Sequence, residues 1–107
     1  IQGDGSCVRA FLHSDDTSRA FETILFKGQL GQIYNIGCDE GMEYSILQLA
    51  EMLIKMIKGY EVNTNNWITF IKDRPFNDKR YYISNQKLKD LGWTIEIKLE
   101  EGLKNII

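Results

Sequence analysis

The sequence predicts a mixed α/β fold in one small domain of 107 residues. A capping box at Ser45-Ile46-Leu47-Gln48 begins an amphipathic helix whose apolar residues recur at helical spacing. The run from Gly31 to Gly37 carries β-branched and aromatic residues between two glycines, which is typical of a short strand. A chain of this length forms a single domain with one core. The sequence patterns described below predict short strands and about four helices around it.

The first third of the chain predicts a turn at residues 3–6, a strand-like run at residues 7–12 and then a helix. We expect Asp16 to cap the N-terminus of this helix and Gly28 to end it. The predicted apolar face of the helix consists of Ala20, Phe21, Ile24 and Leu25.

The second helix is predicted from Ile46 to Lys58, with Gly59 at its C-terminus. Its apolar stripe comprises Ile46, Leu49, Ala50, Leu53, Ile54 and Ile57. Beyond it, residues 67–71 and 81–83 are rich in β-branched and aromatic side chains and are predicted strands.

Two further helices complete the prediction. Ser84 is expected to cap a short helix over residues 86–91, after which Gly92 suits a left-handed terminus and Trp93 can pack on Leu88. The final apolar pattern is Leu99, Leu103 and Ile106, at helical spacing.

Composition disfavours several classes of function. The chain has 13 basic and 15 acidic residues and a pI near 5.4, so nucleic acid and anionic membranes are poor candidate partners. No apolar run reaches membrane-spanning length, and a cytoplasmic location is expected. With two cysteines, Cys7 and Cys38, and a single histidine, His13, we expect reduced thiols and neither a metal site nor a serine–histidine catalytic pair.

The segment from Asp73 to Tyr81 surrounds the only proline and concentrates charged side chains. Because Pro75 restricts the residue before it to extended conformations, the guanidinium of Arg74 should project in a limited range of directions and suit a phosphate or carboxylate. The alternative is that Asp73, Asp78 and Arg80 pair with one another on a solvated surface. If the first interpretation holds, Arg74 and Arg9 are two candidate residues of an anion site, and neither interpretation provides a catalytic residue.

Five segments together resemble one enzyme family. They are Gly3-Asp4-Gly5, Arg9-Ala10-Phe11-Leu12-His13-Ser14-Asp15-Asp16, Tyr34-Asn35-Ile36-Gly37, the run from Asp73 to Tyr81, and Leu91-Gly92-Trp93. In order and spacing they resemble the C-terminal third of nucleotide-sugar 4,6-dehydratases, the dTDP-glucose and UDP-glucose enzymes of the extended short-chain dehydrogenase/reductase superfamily. The resemblance covers essentially the whole chain and implies the C-terminal substrate-binding subdomain of a Rossmann-type enzyme.

The segments differ in how narrowly they identify the family. The second and third recur across the superfamily, including epimerases and decarboxylases, whereas the Asp-Arg-Pro-Phe-Asn-Asp-Lys-Arg-Tyr run resembles the dehydratase form. Bacterial dehydratases commonly have histidine where this chain has Asn77. Asparagine there resembles the eukaryotic or rhamnose-pathway branch and leaves open whether the nucleotide is uridine or thymidine.

The resemblance implies four substrate-binding residues. Arg9 and Arg74 correspond to the pair that binds the substrate diphosphate, while Asn35 and Asn77 correspond to residues at the nucleotide end of the pocket. From the residues alone, Asn35 could instead cap a turn and Asn77 could shape the bend after the proline. No catalytic role is expected for His13, which should pack beside the strand.

The resemblance also implies NAD as the cofactor of the intact enzyme, which would be a homodimer. The glycine-rich phosphate loop and the Tyr-x-x-x-Lys base that such enzymes need are absent from this sequence. Since the chain starts at Ile1 and ends inside an apolar helical pattern, we expect residues 1–107 to be one substrate-binding domain from a longer protein, without its N-terminal Rossmann domain and inactive alone. Alternatives are a stand-alone module that binds a nucleotide sugar or another protein, and an epimerase or decarboxylase.

Overall fold

Two short strands and four α-helices make up most of the regular structure in the computed structural model, which describes the chain from Ile1 to Ile107. In chain order they are β1 (Val8–Ala10), α1 (Ser14–Lys27), β2 (Glu43–Ser45), α2 (Ile46–Lys58), α3 (Gln86–Lys89) and α4 (Leu99–Ile106). A 3₁₀ helix over Thr64–Trp67 follows α2. The mixed α/β class and the expected four helices are thus confirmed.

The strands β1 and β2 form an antiparallel pair in which Arg9 lies opposite Tyr44. On the other side of the N-terminal segment, the chain makes isolated parallel bridges between Gln2 and Ile71 and between Val8 and Arg80. The eight residues between these bridges, 72–79, form a loop that we call the arch. The arch contains the proline motif and is anchored at both ends to the start of the chain.

The start of α1 differs from the prediction. The N-cap is His13, whose Nδ1 accepts a hydrogen bond from the backbone N–H of Asp15 at 3.0 Å. The predicted cap, Asp16, lies within the helix and is completely buried. The predicted end is confirmed, because the N–H of Gly28 donates to the carbonyl of Ile24 at 2.8 Å.

Asp16 instead connects α1 to the segment before α4. Its carboxylate accepts hydrogen bonds from the Arg19 side chain and from the backbone N–H groups of Glu96 (3.1 Å) and Ile97 (3.0 Å). Its carbonyl accepts from the indole N–H of Trp93 at 3.0 Å. A carboxylate with this many donors is stable inside the protein, whereas a helix cap would stay near solvent.

Three predicted strands do not form. Residues 31–37 and 81–83 lie outside any strand, and within residues 67–71 only Ile71 makes a bridge. The pattern of β-branched and aromatic residues reports suitability for a sheet, but a strand also needs a neighbour to pair with. Residues 31–37 and 81–83 have no such partner within the chain. The third segment pairs with the first residues of the chain at Ile71 alone, whose N–H donates to the carbonyl of Ile1 and whose carbonyl accepts from the N–H of Gly3.

The second helix begins as predicted. Ser45 Oγ accepts from the backbone N–H of Gln48 at 3.0 Å, and Gln48 Oε1 accepts from the N–H of Ser45 at 2.8 Å. Gly59, with φ of 106°, follows the last turn. No residue of α2 is fully buried, however, so its apolar stripe is only partly covered.

The third helix is shorter than predicted and ends at Lys89. Its N-cap is Asn85 and not the predicted Ser84, although Ser84 Oγ accepts a hydrogen bond from the backbone N–H of Gln86 at 3.3 Å. Gly92 has the expected positive φ, 101°. Trp93 and Leu88 are both buried in one cluster, which confirms the predicted packing.

The core is small for the length of the chain. Only five apolar residues are buried, namely Ala20, Cys38, Leu88, Trp93 and Leu103. From the predicted apolar face of α1, Phe21 and Leu25 are instead exposed. The molecule is a slab of 51 × 33 × 18 Å with a radius of gyration of 16.6 Å, whereas a chain of this length usually has about 13 Å. Much apolar surface therefore remains uncovered, although no helix has the length and apolar character needed to cross a bilayer.

Candidate functional site

Three of the four predicted site residues come together. Arg9, Arg74 and Asn77 line one cavity of about 290 Å³, beside the start of α2. The remaining lining residues are Gln2, Cys7 and Ile46. The cavity forms where the arch folds over the segment that leads into β1, so its position follows from the two bridges that anchor the arch.

Arg9 is held in place by its strand and by an aromatic ring. It is half-buried, and its Nη1 donates to the carbonyl of Val8 at 2.8 Å. The guanidinium carbon lies 4.6 Å from the centre of the Tyr81 ring, within the range of a cation–π interaction. Tyr81 therefore supports one face of the guanidinium and leaves its positive charge intact.

Arg74 approaches the same place from the arch and is exposed. Its backbone N–H donates to Asp73 Oδ1 at 2.9 Å, just before the restricted Pro75. Its Nη2 donates to Asn77 Oδ1 at 2.7 Å. Both partners lie within three residues of Arg74 in the sequence, so its position is set by contacts within the arch.

Asn77 connects the two arginines. Its Oδ1 accepts from Arg9 Nη2 at 3.1 Å as well as from Arg74. Its Nδ2 donates to Asp73 Oδ1 and to Cys7 Sγ, each at 3.1 Å. One neutral amide thus joins the two guanidinium groups to the segment before β1.

The ion pairs distinguish these two arginines from the other two in the chain. Arg19 pairs with Asp16 and, at 3.2 Å, with Glu96, and Arg80 pairs with Glu43 at 2.8 Å. Arg9 and Arg74 have no carboxylate within ion-pair distance of their side chains. The cavity consequently contains two positive charges that no acidic side chain neutralises.

These contacts also contradict the alternative in which Asp73, Asp78 and Arg80 pair with one another. Asp78 accepts a hydrogen bond from the Tyr81 hydroxyl, and Arg80 turns to Glu43. The hydrogen bond to the Asp78 carboxylate raises the pKa of Tyr81 above its usual 10.0. The hydrogen bond to Glu43 likewise raises the pKa of Arg80.

Asn35 lies apart from this cavity. It is exposed, lies in the extended segment that was predicted to be a strand, and does not line the cavity with the arginines. Its assignment to the nucleotide therefore remains a prediction, while the cavity itself is built without it.

Cys7, which bonds to Asn77, and Tyr81, which supports Arg9, were not predicted to take part in the site. Cys7 was expected to be a packed thiol, although it stands two residues before Arg9, and alternate residues of an extended chain share a face. That spacing could have identified it. Tyr81 gave no comparable signal, because its place beneath Arg9 depends on the path of the arch.

The structure offers little else as a catalytic or metal centre. No three His, Cys, Asp or Glu side chains lie close enough together to hold a metal ion. Neither long helix begins with a glycine-rich turn, because α1 starts after His13 and α2 after Ser45. The residues of this chain thus do not fit the phosphate loop that dinucleotide binding requires.

Curated relatives match the chain along its whole length. It is 42% identical over 109 aligned residues to the dTDP-D-glucose 4,6-dehydratase of Mus musculus, covering 100% of this chain and 30% of that protein. It is 40% identical to a trifunctional UDP-glucose 4,6-dehydratase, 3,5-epimerase and reductase of Arabidopsis thaliana, covering 97% and 15%. No family model matches the sequence. The chain spans less than a third of the length of either relative.

Solved structures agree with the sequence relatives. The dTDP-glucose 4,6-dehydratase of Streptomyces venezuelae, determined with NAD bound, superimposes with a TM-score of 0.86 at 28% identity, covering 98% of this chain and 31% of that one. The UDP-glucose 4-epimerase of Thermotoga maritima, determined with UDP-glucose, gives a TM-score of 0.79 at 33% identity, covering 97% and 31%.

Proposed function

We propose, from the homology of this whole chain to part of the dTDP- and UDP-glucose 4,6-dehydratases of the extended short-chain dehydrogenase/reductase superfamily, that it forms the substrate-binding part of such an enzyme. The reaction would convert dTDP-glucose or UDP-glucose to the 4-keto-6-deoxy sugar. Arg9 and Arg74 would bind the diphosphate of the substrate.

The absence of ion pairs at Arg9 and Arg74 is the structural observation that supports their assignment to the diphosphate. Each of the other two arginines has a carboxylate partner within the chain. Two guanidinium groups that line one cavity and have no carboxylate partner favour the binding of an anion from outside. A diphosphate offers several negatively charged oxygens to two such groups at once, which a single carboxylate does not.

The geometry supports binding by both arginines together. Arg9 uses Nη1 and Nη2, and Arg74 uses only Nη2, for bonds within the protein. A guanidinium has five N–H donors, so each group keeps donors for phosphate oxygens. The half-buried Arg9 would fix the position of the diphosphate, and the exposed Arg74 could close over it from the arch.

NAD would be bound outside these 107 residues. In such enzymes NAD accepts and returns a hydride, and the solved dehydratase carries it. This chain lacks a suitable phosphate loop, so in our proposal its own residues only bind and orient the nucleotide sugar. We therefore expect the isolated chain to be inactive.

The exposed apolar surface supports the proposal that these residues pack against further protein. Large apolar side chains with more than three quarters of their surface exposed are Leu25, Leu30, Ile33 and Phe76. Extensive exposed apolar surface commonly marks an interface with another protein segment. The unpartnered extended segments 31–37 and 81–83 would also gain from a neighbouring strand.

The proposal is tested with the full-length protein that contains this chain. Purified protein is incubated with NAD and with dTDP-glucose or UDP-glucose, and the product is identified by nuclear magnetic resonance. A 4-keto-6-deoxy sugar is expected with one of the two substrates. The isolated chain serves as the inactive control, and turnover by it alone would contradict the assignment of the chemistry to other residues.

An epimerase is the second candidate, because the solved UDP-glucose 4-epimerase is 33% identical to this chain, against 28% for the Streptomyces venezuelae dehydratase, although its TM-score is lower, 0.79 against 0.86. It would bind the same class of substrate through the same arginines. The product separates the two, since an epimerase retains the 6-hydroxyl group and changes only the configuration at carbon 4.

A further inference from the structure

Among the residues that precede and follow the proline in the arch, only one is partly shielded from solvent. From residue 69 to residue 84 every residue is exposed except Asn77, which is half-buried. It is unusual that this polar amide is less exposed than its apolar neighbour Phe76, which is 91% exposed. The burial of Asn77 therefore needs an explanation from its contacts.

The contacts of Asn77 use every hydrogen-bonding group that its side chain has. Oδ1 accepts from Arg9 at 3.1 Å and Arg74 at 2.7 Å, and Nδ2 donates to Asp73 and Cys7. An amide side chain has two acceptor sites and two donors, so none is left for a ligand. The orientation is also fixed, because a rotated amide would direct N–H groups at two guanidinium donors.

The bonds to Oδ1 bring two like charges together without neutralising either. Guanidinium groups that converge on one atom repel each other, and a neutral oxygen that accepts from both offsets part of that repulsion. An acidic side chain in the same place would offset more, but it would also compete with an incoming anion. An amide fits the need for two adjacent charges that stay available.

We infer that Asn77 is a positioning residue, which holds the guanidinium groups of Arg9 and Arg74 at the spacing of a diphosphate and does not itself contact the nucleotide. This inference rests on the proposed function and revises the expected role of Asn77 as a nucleotide contact. According to this inference, the site prefers a diphosphate to a monophosphate because Asn77 holds the two arginines side by side.

The test compares a diphosphate with a monophosphate in the full-length protein. Dissociation constants for UDP and UMP, and for dTDP and dTMP, are measured by calorimetry for the parent and for Asn77→Ala. We expect the diphosphate of the preferred base to bind about tenfold more weakly, and the monophosphate to lose clearly less. A direct contact to base or ribose would weaken both equally and would overturn the inference.

Two further variants separate this inference from the proposed function. Asn66→Ala removes an exposed asparagine outside the cavity and should leave both affinities unchanged. Arg74→Ala should weaken diphosphate binding. In the double variant with Asn77→Ala, the loss of binding free energy should be smaller than the sum of the losses in the two single variants. If Arg74→Ala weakens binding but Asn77→Ala does not, the inference fails and the proposed function stands. If neither weakens it, both fail.

A change in folding is checked in the same variants. The melting temperature of Asn77→Ala should fall only modestly, because the four hydrogen bonds of this half-buried amide lie outside the buried core of the protein. A large fall in melting temperature together with equal losses for diphosphate and monophosphate would show that Asn77 is structural, which also overturns the inference.

Discussion

Arg9 and Arg74 donate hydrogen bonds to the same atom, Oδ1 of Asn77, at 3.1 and 2.7 Å. They are far apart in the sequence, one in β1 and one in the arch. Their convergence depends on the bridges that bind the arch to the first eight residues, and so the fold of this small chain and its charge distribution are parts of one arrangement.

Replacing Arg74 with Ala should weaken binding of the nucleotide sugar by about 1.5 to 3 kcal/mol. The physical reason is the loss of charge-assisted bonds to the diphosphate, while the exposed side chain contributes little packing. Titration calorimetry with UDP-glucose or dTDP-glucose on the full-length protein measures it. Arg80→Ala is the matched control, because Arg80 already pairs with Glu43, and an equal loss from both variants would contradict a specific role for Arg74.

Replacing Tyr81 should separate the contribution of its ring from that of its hydroxyl. The ring supports the Arg9 guanidinium at 4.6 Å, whereas the hydroxyl bonds to Asp78. Tyr81→Leu removes the cation–π interaction and should weaken diphosphate binding about threefold, while Tyr81→Phe should bind like the parent. Affinities of the two variants for UDP provide the comparison. A loss in Tyr81→Phe equal to that in Tyr81→Leu would assign the effect to the hydroxyl.

Replacing Asp16 with Ala should destabilise the protein by about 2 to 4 kcal/mol. The change leaves the N–H groups of Glu96 and Ile97 without their acceptor and removes the buried partner of Arg19. Urea unfolding of the full-length protein, followed by fluorescence of the tryptophans, measures the loss. Asp15→Ala is the control, because Asp15 is exposed in the same turn, and similar effects of both variants would contradict the buried link.

Local rules predicted α2 correctly, because the capping box of Ser45 and Gln48 and the following stripe are complete within one segment. The role of Asp16 could not be predicted in this way, since its partners Glu96 and Ile97 are reached only after the chain folds. Strand propensity at residues 31–37 failed for a related reason, as no neighbour pairs with it.

The candidate site shows the same division. Arg9 and Arg74 were identified from their motifs and from the resemblance to an enzyme family. The function of Asn77 was not identified in this way, because the local sequence is the same whether this residue shapes a bend or joins two arginines. Only the contact with Cys7 and Arg9, across the fold, distinguishes the two.

Cys38 should make the protein less stable at alkaline pH. Burial, together with the neighbouring Asp39 carboxylate, raises the pKa of its thiol above the ordinary 9.0, and the thiol donates to the carbonyl of Phe11 at 2.9 Å. Between 9.0 and the raised value, the unfolded chain has lost this proton and the folded chain still holds it. Since the folded state then binds more protons, the free energy of unfolding falls as the pH rises through this interval.

The measurement is the difference in unfolding free energy between neutral pH and pH values above 9.0. Cys38→Ala should lower stability at neutral pH, because the carbonyl of Phe11 loses its donor, but it should show a smaller further loss in alkali than the parent. Cys7→Ala, which removes the less buried thiol, should keep the full alkaline loss of the parent. If Cys38→Ala and the parent lose stability equally as the pH rises, the alkaline sensitivity arises from other groups, and the buried thiol is not its source.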